Sequence, residues 1–231
     1  MTSGSEHRKA FHEELAQLNE DVLHLAALAG EAIQAGTDAL LDFDLAGVEQ
    51  VIAQDGLLDQ LTDSIEERVY QIMARQAPMA MDLRTLVTIL RAIHELERIG
   101  DLMINVAKAA RRLYPRALEP KVRGILDRMR EQAAEQLRLA AEAFAARDPA
   151  RAAALNDMDD VMDDMQKELF RTIFSSPVTD EASVQRAVQI ALVGRYFERM
   201  ADHAVNVGER VEFMVTGHFH DRDHAGAPEA Q

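Results

Sequence analysis

Apolar residues recur at helical spacing along almost the whole chain. Phe11, Leu15, Leu18, Val22, Leu25, Leu28, Ile33 and Leu40 follow one another mostly at three-, four- and seven-residue steps, the signature of one buried helical face. Asp42-Phe43-Asp44 breaks this run, and Asp44 suits the N-cap of a second helix from about Leu45 to Gln76. That helix carries Val48, Val51, Ile52, Leu58, Leu61, Ile65, Val69 and Ile72. Pro78 interrupts, and a third helix is expected from about Ala80 to Leu113, before Tyr114-Pro115. A fourth helix spans roughly Lys121 to Ala146. Asp148 at N-cap and Pro149 at N1 start a fifth, which reaches about Phe174 before Ser175-Ser176-Pro177. The sixth begins near Asp180 and runs to Thr216, with Gly217 as its stop. No strand pattern interrupts this order. The pattern predicts an all-α fold, an elongated six-helix bundle with helices of ~30 residues or ~45 Å.

Polar identities repeat as well. Glu97 and Glu198 lie 101 positions apart, as do Asp101 and Asp202, Asn105 and Asn206, and Arg98 and Arg199. Asp44 and Asp148, Asp55 and Asp159, and Asp59 and Asp163 each lie 104 apart. The chain therefore reads as two three-helix repeats, 11–115 and 116–217, between a disordered N-terminus (1–10) and a disordered tail (218–231).

Composition narrows the chemistry. The formal net charge is −15, which excludes a general nucleic-acid binder and direct binding to an anionic membrane. With no cysteine, disulfides, thiolate zinc sites and cysteine nucleophiles are excluded. There is no signal-peptide pattern at the N-terminus and no ~18-residue apolar run. The expectation is a cytoplasmic protein that does not insert into the membrane. No P-loop, dinucleotide-binding glycine run or nucleophile elbow appears, so no catalytic residue is assigned and no enzyme is expected.

Positions i, i+4 and i+8 form a row on a helix. Glu97, Asp101 and Asn105 form one; Glu198, Asp202 and Asn206 form another. If Asp55 with Asp59, and Asp159 with Asp163, face the third helix of their own repeats, each repeat gathers four carboxylates. Four converging anions repel without a cation between them. Oxygen ligands suit hard ions such as magnesium, manganese, calcium or iron, and zinc less so. The bland alternative is a solvated acidic face. His94 and His203 are extra ligands or, more simply, packed or surface side chains. His218, His220 and His224 belong to the tail.

The run Leu96-Glu97-Arg98-Ile99-Gly100-Asp101 with Asn105, and the run Phe197-Glu198-Arg199-Met200-Ala201-Asp202-His203 with Asn206, resemble the PhoU family of phosphate-uptake regulators. Pro78-Met79-Ala80-Met81-Asp82-Leu83-Arg84 and Val215-Thr216-Gly217 add to the resemblance, which extends from about Phe11 to Gly217. It implies a non-enzymatic, metal-binding, homodimeric adaptor that negatively regulates phosphate uptake and the phosphate-starvation response. The implied partners are the ATPase subunit of a phosphate ABC transporter and a sensor histidine kinase, met at the inner face of the membrane. The implied metal ligands are Glu97, Asp101, Glu198 and Asp202, supported by Asp55, Asp59, Asp159 and Asp163, with iron, manganese, magnesium or zinc as the ion. Two departures stand out. Lys108 occupies the position of Glu209, which favours the second repeat as the better metal site. Ser176-Pro177-Val178-Thr179 lacks the Asp-Leu-Arg of the first loop. A ferritin-like di-iron protein would need Glu-x-x-His pairs on facing helices, and the helices carry none. A metal-free helical docking module is the other alternative.

Overall fold

The computed structural model describes residues 3–76, 78–175 and 180–218. Seven helical segments account for nearly all of them: α1 (Ser3–Asp42), α2 (Leu45–Ala53), α3 (Asp55–Gln76), α4 (Met81–Leu113), α5 (Pro120–Ala146), α6 (Pro149–Ser175) and α7 (Glu181–Thr216). No strand occurs among the described residues. The expected all-α bundle is what forms.

Helix boundaries follow local chemistry. Asp44 caps α2 through a hydrogen bond from the Ala46 N–H at 3.0 Å. Asp148 accepts from the backbone of Ala150 at 2.9 Å and Arg151 at 3.2 Å. Asp180 and Ser183 form a reciprocal capping box on α7. Gly217, at φ 78°, ends α7 in the left-handed conformation that glycine adopts without strain. The residues ending α1 and α5, Phe43 and Arg147, adopt that conformation too, at φ 56° and 51°. Each is followed at once by a capping aspartate, so the two links are built alike.

Two boundaries differ from expectation. The single helix expected over 45–76 is divided at Gln54 into α2 and α3. The backbone there stays close to helical, with φ −84° and ψ −7°, so the change is a one-residue interruption of a continuous path. Helix α1 begins at Ser3, so residues 3–10 extend the helix instead of forming a disordered segment. Propagating an existing helix adds one hydrogen bond per residue and needs no burial. The expected break at Ser176-Pro177 and the tail histidines His220 and His224 lie outside the described residues, as does the tail beyond His218.

The apolar stripes read from the sequence form one continuous core. Leu18, Leu25, Ile33, Leu40, Ile65, Ile72, Leu86, Ile89, Ile93 and Ile99 are fully buried. Helices α1, α3 and α4 pack together, as do α5, α6 and α7, and α4 against α7 is the main junction between the sets. These two helices run antiparallel. Thr88 donates to the Arg210 carbonyl at 3.2 Å, and Arg112 donates to Gln189 near the other end at 3.4 Å. Helix α6 lies very close to α7. A Cβ at Gly208 would fall 2.6 Å from Leu155 Cδ1 and 3.2 Å from the Ala152 carbonyl oxygen, so this position keeps the helices at contact distance. No described helix is long and apolar enough to cross a membrane.

Candidate functional site: the acidic rows

Packing fixes the level of each carboxylate. Leu58 of α3 meets Gly100 of α4, which puts Asp59 level with Asp101. Leu169 and Leu155 of α6 meet Gly194 and Gly208 of α7, which puts Asp159 and Asp163 level with Asp202.

In the first set of helices the acidic row is already engaged by neighbouring side chains. His94 Nδ1 lies 3.3 Å from Glu97, and its Nε2 lies 3.8 Å from Glu66 of α3. Arg98 donates to Asp101 at 2.7 Å. Asp59 is exposed, and Lys108 is partly buried further along α4. The Asp55 side chain lies outside the described residues. His94 thus touches carboxylates of α3 and α4 on a half-exposed face.

In the second set the carboxylates feel one another. Asp159, half-buried on α6, has its carboxyl pushed up to about 6 by burial, then by the charges of Asp202, Asp163 and Asp160. Burial also raises Asp202; Asp163 adds to this, while Arg195, His203 and Arg199 oppose it. Glu198 is 8% exposed and pairs with Arg195, and its Oε2 has no partner. Asp159 Oδ1 is likewise buried and unpartnered. The structure therefore brings Asp159, Asp163 and Asp202 into one electrostatic group, with Glu198 one turn along α7. Among the described residues, no three Asp, Glu or His side chains stand close enough to enclose a single ion. The donor set of the second half nonetheless fits a hard cation: it is all oxygen, Asp159 and Asp202 are raised by burial with added repulsion from neighbouring aspartates, and two of its oxygens lack partners.

This repulsion has a measurable sign. A folded carboxyl held above its unfolded value of 3.8 binds protons more tightly in the native state, so stability falls as pH rises from there through about 6. In chelator-treated protein the melting temperature should drop across that window. Asp159→Asn should flatten the drop and melt about 2–4 °C higher at pH 7.5, on the order of 1 kcal/mol at this solvent-screened site. Identical pH profiles for the two proteins would refute the repulsion.

The row does not continue to its third member. Asn206 turns to α4 and donates to Glu95 Oε2 at 3.0 Å, beside His203 Nδ1 at 2.7 Å from the same oxygen. Eight residues advance a helix by about 80°, enough to swing Asn206 from the α6 side to the α4 side. His203, with 15% of its side chain exposed, is a packed interhelical contact. Burial pushes the Glu95 carboxyl up, but the hydrogen bonds of His203 and Asn206 and the charges of His203 and Arg210 outweigh it and hold it below the usual range. Glu95 carries no motif of its own. A second feature without a sequence signal is a cleft of about 610 Å³ where α4 ends and α7 begins, lined by Arg112, Tyr114, Arg116, Val184 and Val188.

Comparison with known proteins bears on what these rows are for. The profile of the PhoU domain matches the chain over two stretches, 22–110 and 126–211. The phosphate-specific transport system accessory protein PhoU homolog 2 of Mycobacterium tuberculosis is 38% identical over 213 residues, covering 92% of this chain and 99% of that protein. PhoU homolog 1 of Mycobacterium leprae is 37% identical, covering 94% and 97% respectively. The crystal structure of PhoU from Pseudomonas aeruginosa superposes with a TM-score of 0.84 at 29% identity, covering 90% of this chain and 100% of that one. The phosphate transport system regulatory protein PhoU from Streptococcus pneumoniae gives 0.84 at 27% identity, covering 91% and 99%.

Proposed function

We propose a function from this premise: the chain belongs to the PhoU family. It acts as a non-enzymatic regulatory adaptor of a phosphate transport system, restraining phosphate uptake and the phosphate-starvation response when phosphate is plentiful. It does so in the cytoplasm as a homodimer, by docking on the ATPase subunit of a phosphate ABC transporter and on a sensor histidine kinase. The names of its relatives, an accessory protein and a regulatory protein of phosphate transport, support the regulatory part.

The adaptor is also read as metal-binding. One observation carries this: Asp159, Asp163 and Asp202 from two helices repel one another inside a partly buried site, and a cation relieves that repulsion. Glu198 and Asp202 of α7, with Asp159 and Asp163 of α6, would hold a hard divalent or ferric ion. Glu97 and Asp101, with Asp55 and Asp59, would form the corresponding site in the first half, where His94 and Arg98 compete for the same oxygens. A bound ion would supply the positive charge that offsets the repulsion among these carboxylates.

Metal analysis of the purified protein, set beside Glu97→Ala/Asp101→Ala and Glu198→Ala/Asp202→Ala, tests the assignment. Bound metal should fall most in the α7 variant. In phosphate-replete cells, loss of the gene should raise phosphate uptake, and the α7 variant should restore restraint only partly. Unchanged metal content in both variants would remove the metal site and leave a metal-free docking module. Unchanged uptake on gene loss would remove the regulatory reading.

A further inference from the structure

One fully buried polar side chain in the core of the second half is left without a hydrogen bond of ordinary geometry. Gln136 of α5 is fully buried, and neither its Nε2 nor its Oε1 has a hydrogen-bond partner. A buried amide left unpaired is costly, and native structures contain few. The preceding turn of α5 is pinned to α6 beside the acidic group, where Gln132 donates to the Met158 carbonyl at 2.8 Å. Gln136 therefore enters the α5–α6 contact next to Asp159. Its amide favours the ionised form of that carboxyl, yet no hydrogen bond of ordinary geometry joins them. Asp159 Oδ1, beside it, is likewise without a partner.

The first half shows what the position looks like without the amide. At the 104-residue offset that relates Asp44 to Asp148, and buried Ile33 to buried Leu137, the counterpart of Gln136 is Ala32. Ala32 is partly buried and carries no polar atom on its side chain. It lines a cleft of about 390 Å³ with Leu28, Val51, Leu58, Gly100 and Ile104. The two halves thus differ at this position, which is partly buried in the first and fully buried in the second, and only the second half places an amide there.

We infer that Gln136 is a neutral oxygen donor of the second-half cation site, making that half the tight site for a hard divalent ion. This rests on the metal-binding reading above. A primary amide suits the role because its two ends exchange by a half-turn about the last side-chain bond. The N–H end faces Asp159 while the site holds no ion, and the oxygen turns inward when a cation arrives. Carboxylates plus a carbonyl-type oxygen are the ligand set of magnesium, manganese and calcium.

Manganese(II) is the probe, titrated calorimetrically and followed by its electron paramagnetic resonance spectrum. The full chain carrying Glu97→Ala/Asp101→Ala isolates the second half. In that background Gln136→Leu should weaken manganese binding about 10- to 100-fold and alter the bound-ion spectrum. The metal-free melting temperature should hold or rise, because two unpaired polar atoms leave the core. Gln136→Met, unbranched like glutamine, repeats the measurement should leucine pack poorly. Gln136→Glu, which restores an oxygen, should recover binding. An unchanged manganese affinity in Gln136→Leu and Gln136→Met, with binding lost in Glu198→Ala/Asp202→Ala, overturns the role of Gln136 and leaves the metal reading intact. A lowered metal-free melting temperature with unchanged affinity overturns it in favour of a packing role. No manganese binding in the parent protein overturns both.

Discussion

Phe197→Ala should be among the most damaging single substitutions in this chain, lowering stability by about 3–5 kcal/mol. Phe197 heads the fully buried side chains in volume and sits on α7 one residue before Glu198. Truncation removes the apolar area of a whole ring and leaves a hole that close-packed helices fill only in part. For a chain of this length the melting temperature should fall by roughly 10 °C. Phe174→Ala is the internal comparison: that ring is 78% exposed, and its loss should stay within about 0.5 kcal/mol. Thermal and urea denaturation of the two variants check both halves of the prediction. Equal effects would mean that the α7 face carrying Phe197 is not the core face.

The contrast between two phenylalanines reflects what sequence patterning can and cannot carry. Periodicity identified Leu18, Leu25, Ile33, Ile65 and Ile72 as inward-facing because each belongs to a repeating stripe. Caps were legible for a similar reason. Asp44, Asp148 and Asp180 each act on backbone within three residues of themselves, so their chemistry is local. The interruption at Gln54 was not legible, since its backbone is nearly helical and neither proline nor a left-handed residue marks it.

The site was legible in proportion to how local it is. Glu198 and Asp202 share a helix face by arithmetic, and the pairing of Asp159 with Asp163 follows the same rule. Which helix each row faces depends on packing across chain segments, and there the simple row fails: Asn206 serves α4 instead of the acidic group. Arg98 and His94, whose positions were plain in the sequence, take up the first row, so the two copies differ more than Lys108 alone implied. Gln136 did leave a signal. It is a polar residue on the buried face marked by Ala133, Leu137 and Ala140, at a position where the corresponding first-half residue is Ala32.

The contact between α4 and α7 supplies the other large expected effect. Glu95→Ala should cost about 1–3 kcal/mol, because it removes the carboxylate that accepts from Asn206 and meets His203 at a part-buried contact between two helices. Glu95→Gln keeps an acceptor oxygen and should cost less. Paired with Asn206→Ala in a double-mutant cycle, Glu95→Ala should show a coupling of about 0.5–3 kcal/mol, whereas residues without a shared contact would add. The contact also has a pH signature opposite to that of Asp159. The folded Glu95 carboxyl lies below its ordinary 4.5, so the unfolded chain binds its proton more tightly. Its stabilisation is complete above the unfolded value and is lost as pH falls through the folded one. Between them the two carboxyls make opposite demands. Raising pH through about 6 loads repulsion onto α6 and α7 at Asp159, while acidification below 4.5 releases α7 from α4 at Glu95. A pH series on Asp159→Asn and Glu95→Gln should therefore change opposite flanks of the stability profile. Changes on the same flank would contradict the assigned shifts.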